Sequence, residues 1–316
     1  MNIFRIFFTI TCVLLIIYLT IEVILRVFGF GETIIYIPDE KIGYIPAPNQ
    51  RLRRLGNRME INEYSMRSPP LALTDAATLR VLLLGDSVAN GGWWTDEENT
   101  ISAMLARQIT SAVKQKVEVL NASANSWGPR NQLAYLQRFG TFEARAVVLL
   151  LNTDDLFATA PTSQVVGRDR NYPNRQPPLA VVEVFSRYLW RKEPEELKAA
   201  RAEGGDRVAR NLDAIRQVLE IASQKNAYFL LAMTPLLREI GEPGPRDYEK
   251  QARRRLTAFT QSAQIPYIDF LALFNATSDP KALYRDHIHL SPSGNEFVSK
   301  ALSKNLIEAL LISGSK

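Results

Sequence analysis

The chain holds one cysteine and two histidines among its 316 residues. A lone Cys12 excludes an intrachain disulfide and any cysteine-based metal site, and it leaves the redox compartment open. Both histidines, His287 and His289, fall in one short stretch near the C-terminal end, so imidazole chemistry is confined there. A dense basic stripe is also missing. The net charge is only +5, with 38 basic against 33 acidic residues, which speaks against nucleic acid as a partner. With 46% hydrophobic and 22% charged residues, the composition is not that of a disordered chain, and the length suits one sizeable core plus a short appendage.

Charge is absent from Ile6 to Ile21, and apolar character resumes through Val23-Ile24-Leu25 and Val27 to Phe30. At helical rise this run crosses a bilayer core of about 30 Å, so residues 1–30 read as a single transmembrane helix. No small-x-small cleavage site follows it, and Cys12 lacks the small residues that precede a lipoprotein cysteine, which favours a retained anchor over a cleaved signal peptide. Glu22 and Arg26, four apart, can pair on one helix face or snorkel toward the far headgroups. Arg5 lies before the helix, whereas Arg26, Lys41, Arg51, Arg53, Arg54 and Arg58 follow, so the charge count alone does not set orientation.

Residues 31–78 contain five prolines and no sustained helical period, which predicts an extended arm over the following domain. Short strands are expected at Ile34–Ile37 and Met59–Ile61, with Arg51–Arg54 between them as a solvated edge or a contact for anionic headgroups or an acidic polymer.

From Leu79 onward strands and helices alternate. Arg80–Leu84 is an apolar run of strand length that stops on Gly85-Asp86-Ser87, which places a hydroxyl at the carboxyl edge of a parallel sheet. Further strands are expected at Val117–Leu120, Ala146–Leu151, Tyr228–Ala232 and Pro266–Asp269. The expected helices include one opened by Thr95-x-x-Glu98, with Ile101, Leu105, Ile109 and Val113 on its core face. Asp206 caps another, and Ser291-Pro292 opens the last. Five strands with intervening helices imply a three-layer α/β sandwich with right-handed crossovers. Residues 157–205 fall outside that scheme and read as an insertion, either a lid or substrate wall or a plain surface excursion.

The order of four blocks resembles the SGNH (GDSL) hydrolases from about Leu79 to Leu311. These are Gly85-Asp86-Ser87, then Asn121-Ala122-Ser123, then the Asn152–Asp155 loop, then Asp286-x-x-His289-Leu290-Ser291-x-x-Gly294. The resemblance implies a flavodoxin-like parallel five-stranded sheet over residues 79–312, and no metal or organic cofactor. It also implies an activity among esterases, lipases, carbohydrate deacetylases and acyltransferases. Carried over position by position, Ser87 is the nucleophile, His289 its general base and Asp286 the carboxylate that orients the imidazole. His287 matches no catalytic position and is expected at the surface or behind the site. The family's oxyanion donors are the serine N–H, a glycine N–H and an asparagine side chain. Here Ser126 stands at the glycine and Asp154 at the asparagine, with Asn152 two residues earlier as another source of an amide. An ionised Asp154 would repel an oxyanion, so either the loop is shifted toward Asn152 or Asp154 stays protonated.

Membrane-anchored relatives with a comparable arm look like bacterial envelope proteins, which implies an inner-membrane protein with a periplasmic catalytic domain. The expected function is an esterase, deacylase or O-acyltransferase on ester-linked acyl groups of an envelope polysaccharide or glycolipid. The alternative is a degenerate fold that binds a glycan or a partner in polysaccharide assembly. Trp93, Trp94 and Trp127 suit sugar contacts or core packing.

Overall fold

The computed structural model describes residues 3–71, 78–189 and 202–313. Residues 72–77 of the arm, and Trp190-Arg191-Lys192 with the rest of the insertion up to residue 201, lie outside the described residues.

Helix α1 (Ile3–Val27) is long and apolar enough to cross a membrane, with a mean hydropathy of 2.5 over its best window. The arm then folds into two antiparallel hairpins. β1 (Tyr36–Asp39) pairs with β2 (Gly43–Pro46), and β3 (Gln50–Arg54) pairs with β4 (Asn57–Ile61). The expected strand at Ile34–Ile37 therefore begins two residues later, and the arginine-rich stretch is itself a strand. Strand alternation splits its side chains: Arg51 and Arg53 are exposed, whereas Arg54 is only 1% exposed. A fully solvated edge is thus correct for two of these arginines and wrong for Arg54.

The main sheet is parallel and ordered β6-β5-β7-β8-β9. Its strands are β5 (Leu79–Gly85), β6 (Val117–Ser123), β7 (Ala146–Asn152), β8 (Tyr228–Thr234) and β9 (Tyr267–Asp269). In order of appearance this is 2-1-3-4-5, the doubly wound order in which the chain reverses direction between β5 and β7. Both faces are covered, which is why β5, β7 and β8 are near-continuous apolar runs. On one face Leu82, Leu84, Val147, Leu149 and Leu231 pack under α4 (Pro129–Phe139), α6 (Arg207–Gln224) and α7 (Asp247–Ser262). On the other face Val81, Leu83, Val148 and Leu230 pack under α3 (Ile101–Val113), α8 (Phe270–Asn275) and α9 (Pro292–Ser313). Two further helices are short, α2 (Ser87–Asn90) and α5 (Ala180–Val184).

Two helix starts match expectation: the Asp206 carboxylate accepts from Ala209 N–H, and the Ser291 hydroxyl accepts from Gly294 N–H. The third does not. α3 begins at Ile101 with Thr100, not Thr95, as its cap, after a 3-10 turn over Glu97–Asn99. The cause is tertiary. Arg67 is buried and donates to the carbonyls of Asn90, Gly92 and Thr95, so the chain through Thr95 is bent around a guanidinium. The arm is therefore built into the domain and not merely laid over it: Tyr36, Ile42, Tyr44, Ile45 and Met66 belong to the same core as the sheet.

Candidate active site

Ser87 is the first residue of α2, directly after β5. The turn is tight enough to exclude a side chain at position 85, since a Cβ there would lie 2.4 Å from that of Ala89. Asp86 caps α2 by accepting from Val88 N–H at 2.9 Å. The other element comes from the far end of the chain, where a bridge between Tyr284 and Leu290 closes a short loop. Within it the Asp286 carboxylate accepts the N–H groups of Ile288 and His289 at 3.0 and 2.9 Å. Gly294, opening α9 behind the loop, has no room for a Cβ, which would fall 2.0 Å from the Leu283 carbonyl oxygen.

These elements bring three of the sequence-predicted residues together. His289 Nε2 lies 3.0 Å from Ser87 Oγ, and His289 Nδ1 lies 2.9 and 3.0 Å from the two oxygens of Asp286. Burial works to raise the Asp286 carboxyl, but the backbone and ring N–H donors of His289 outweigh it and hold it at about 2. An ionised Asp286 fixes the tautomer with the proton on Nδ1, which leaves Nε2 free to accept from Ser87. Trp94 packs on the imidazole, with ring centroids 4.6 Å apart, and Arg285 covers the Trp94 ring at 4.4 Å. His287 is exposed at the surface, 3.8 Å from Asp286.

The other predicted residues sit at the ends of β6 and β7. Ser126 adopts a left-handed conformation, φ +58°, which explains why glycine suits this position. For serine that conformation costs about 1 kcal/mol or more and persists only where neighbours enforce it. They do so here: Tyr172 donates to Ser126 Oγ at 2.8 Å, Tyr44 donates to the Asn125 carbonyl at 2.6 Å, and Trp127 Nε1 donates to the Tyr44 carbonyl at 3.0 Å. Trp127 is consequently core, whereas Trp93 and Trp94 line the cleft.

Asn152 is buried and caps the turn after β7 by accepting from Asp154 N–H at 2.7 Å. Its amide donates to Asp86 Oδ2 at 2.7 Å, tying the end of β7 to the end of β5. Asp154 carries an exposed side chain and lines, with Asn152, a second cleft beside Ser87. Asp86 is the member that sequence reasoning left out. It is buried, 3.1 Å from Ser87 Oγ, and burial raises its carboxyl above the ordinary range. Asp155, also buried, is pushed well up by burial and by the Asp86 charge.

Ser87 lies where two clefts of about 410 and 400 Å³ meet. The first is walled by the start of the arm, Trp93, Trp94 and His289; the second by Asn152, Asp154 and residues 157–162. Tyr172, from the insertion, borders both. Among the described residues no group of histidine, cysteine, aspartate and glutamate is placed to hold a metal.

The sequence matches the GDSL-like Lipase/Acylhydrolase family over residues 83–297, more than half of the chain. The chain belongs to that family, and is a serine hydrolase of the esterase type. No curated protein matches the sequence. Similar solved structures include the acetyl xylan esterase AlAXEase, 14% identical with a TM-score of 0.49, covering 72% of this chain and 99% of that one. Axe2, an acetylxylan esterase from Geobacillus stearothermophilus, is 15% identical with a TM-score of 0.48, covering 72% and 93%. The lipase/acylhydrolase from Enterococcus faecalis is 16% identical with a TM-score of 0.45, covering 73% and 96%.

Proposed function

We propose that Ser87, His289 and Asp286 are the catalytic triad of a membrane-anchored esterase or O-acyltransferase. Its substrates are ester-linked acyl groups of an envelope polysaccharide or glycolipid. One observation carries the reading: the 3.0 Å contact from Ser87 Oγ to an imidazole whose other nitrogen is held by Asp286. Ser87 Oγ attacks the ester carbonyl while His289 Nε2 takes its proton. Collapse of the tetrahedral intermediate expels the alcohol, protonated by His289, and leaves an acyl-serine. Water or an acceptor hydroxyl then attacks the acyl-serine with His289 again as base, and the acyl–Oγ bond breaks as His289 returns the proton to Ser87, releasing the acid or the new ester. The two clefts meeting at Ser87 suit a donor and an acceptor on opposite sides.

The second amide hydrogen of Asn152 and the backbone N–H groups of Ser87 and Ser126 are the donors proposed for the oxyanion. Asp154 is not one of them. In this reading α1 anchors the protein in a bacterial inner membrane, with the catalytic domain on the periplasmic side, and Glu32, Thr33, Ile34 and Tyr36 of the arm wall the site together with residues 157–162 and Tyr172 of the insertion.

The test is fluorophosphonate labelling of the full chain in detergent, together with p-nitrophenyl acetate hydrolysis. Labelling is expected in the native chain and absent in Ser87→Ala, with turnover falling about 10⁴-fold or more. A native chain that never labels would instead indicate a binding protein without turnover.

A further inference from the structure

The insertion presents apolar side chains that are partly exposed. Val182 is 43% exposed, Phe185 52% and Tyr188 43%, so exposed apolar surface runs from α5 into the π-helical turn Phe185–Leu189 that follows it. Single exposed apolar residues need no explanation, whereas a run on one face marks a contact surface. The opposite side is polar and buried. Glu183 there accepts from Arg54, from Arg187 and from the backbone N–H of Gly31.

The depth of this segment follows from α1. The Glu22 carboxylate accepts the N–H groups of Ala180 and Val181 at 2.9 and 3.0 Å, so the first turn of α5 lies level with Glu22. Glu22 stands five residues inside the end of α1, about 7.5 Å along the axis. The 25 residues of α1 make a rod of about 37 Å, longer than the roughly 30 Å of hydrocarbon but shorter than the bilayer with its headgroups. Glu22 and Arg26 are the first charges after the apolar run, and keeping them out of the hydrocarbon puts the last turns of α1, and α5 beside them, in the headgroup layer. Leu55, at the tip of the second hairpin, is exposed and bonded through its N–H to Phe28, itself exposed just past α1. Arg26, which pairs with Glu22, and Arg53 are exposed at the same end.

We propose that the Val182, Phe185 and Tyr188 face is immersed in the headgroup layer of the bilayer that α1 spans. The occupant of this face is phospholipid, because the segment is bonded directly to the spanning helix at that depth. The proposal rests on the anchoring reading above and narrows its substrate. Arg187, on this segment, and Glu32, Thr33 and Ile34 line the cleft that reaches Ser87. Glu32 is five residues past Val27, so it lies within about 18 Å of the end of the span even if fully extended. The cleft therefore opens at the bilayer surface, and the ester it takes is one carried on a lipid or held against the headgroups.

The test uses the full chain in nanodiscs of phosphatidylethanolamine and phosphatidylglycerol. Phe185→Cys in a Cys12→Ser background is labelled with an environment-sensitive fluorophore, and Asp213→Cys, exposed on α6, serves as the aqueous reference. The Phe185 label is expected to be blue-shifted, quenched several-fold more by a shallow nitroxide lipid than the reference, and several-fold less by iodide. Equal iodide quenching at the two positions overturns the proposal. The native chain labelled at Cys12 separates the two possible failures: lipid quenching there keeps the anchor and rejects only the docked face, whereas iodide quenching rejects the anchor as well. A Tyr188→Cys label repeats the measurement should the Phe185 variant lose p-nitrophenyl acetate hydrolysis.

Discussion

The loops that carry Ser87 and His289 are closed by their own residues, whereas the loop that carries Ser126 is held from outside. Asp86 and Asp286 each cap their own backbone, and the imidazole is aimed by a carboxylate three residues away. Ser126, by contrast, keeps a strained backbone because Tyr172 and Tyr44, from the insertion and the arm, grip it and its neighbour. The proposed nucleophile half is thus held by short-range contacts. The proposed charge-stabilising half is a tertiary construction, held by residues far apart in the chain.

That contrast is open to measurement. Asn152→Ala should have the largest effect among residues outside the triad, because it removes a proposed oxyanion donor and leaves Asp86 without its amide partner. Its kcat for p-nitrophenyl acetate should fall about 10²- to 10³-fold. A loss under threefold would take Asn152 out of the oxyanion site and make its role purely structural. Asp154→Asn acts on an exposed charge at the cleft rim. Relieving repulsion across water is worth about 1 kcal/mol, so turnover should rise by at most about fivefold. An unchanged rate would put this carboxylate out of reach of the reacting oxygen.

The smallest effect concerns stability. The Asp286 carboxyl is lowered from 3.8 to about 2 in the folded chain. A depressed carboxyl contributes stability above its unfolded value and loses it as pH falls through the folded one. Between about pH 3.8 and about pH 2 the native chain should therefore lose more of its thermal midpoint than Asp286→Asn, followed by circular dichroism in micelles. Parallel curves for the two proteins would show that the carboxylate is not held as described.

Much of the fold was legible in the sequence because buried parallel strands are unbroken apolar runs and helix caps are chemically distinctive. Four of the five sheet strands were located within two residues, and β6 runs three residues past its expected end at Leu120. The miss at Thr95 has a tertiary cause, since no local pattern announces that Arg67 will gather three carbonyls from that stretch. The arm shows the same limit: arginine in a strand reads as surface, yet Arg54 is buried against Glu183, 129 residues away. Asp86 was in plain view inside Gly-Asp-Ser, but its bond to Asn152 became visible only when β5 and β7 were set side by side.

By itself the sequence determined the apolar helix, the alternation of strands and helices, and the two motifs that carry Ser87, Asp286 and His289, because these depend on periodicity and short-range spacing. Only the tertiary structure decided where the Asn152 amide points, what holds Ser126 in its left-handed turn, and how the arm and insertion wall the cleft. Those features depend on contacts between residues far apart in the chain, and such contacts leave no local periodic trace.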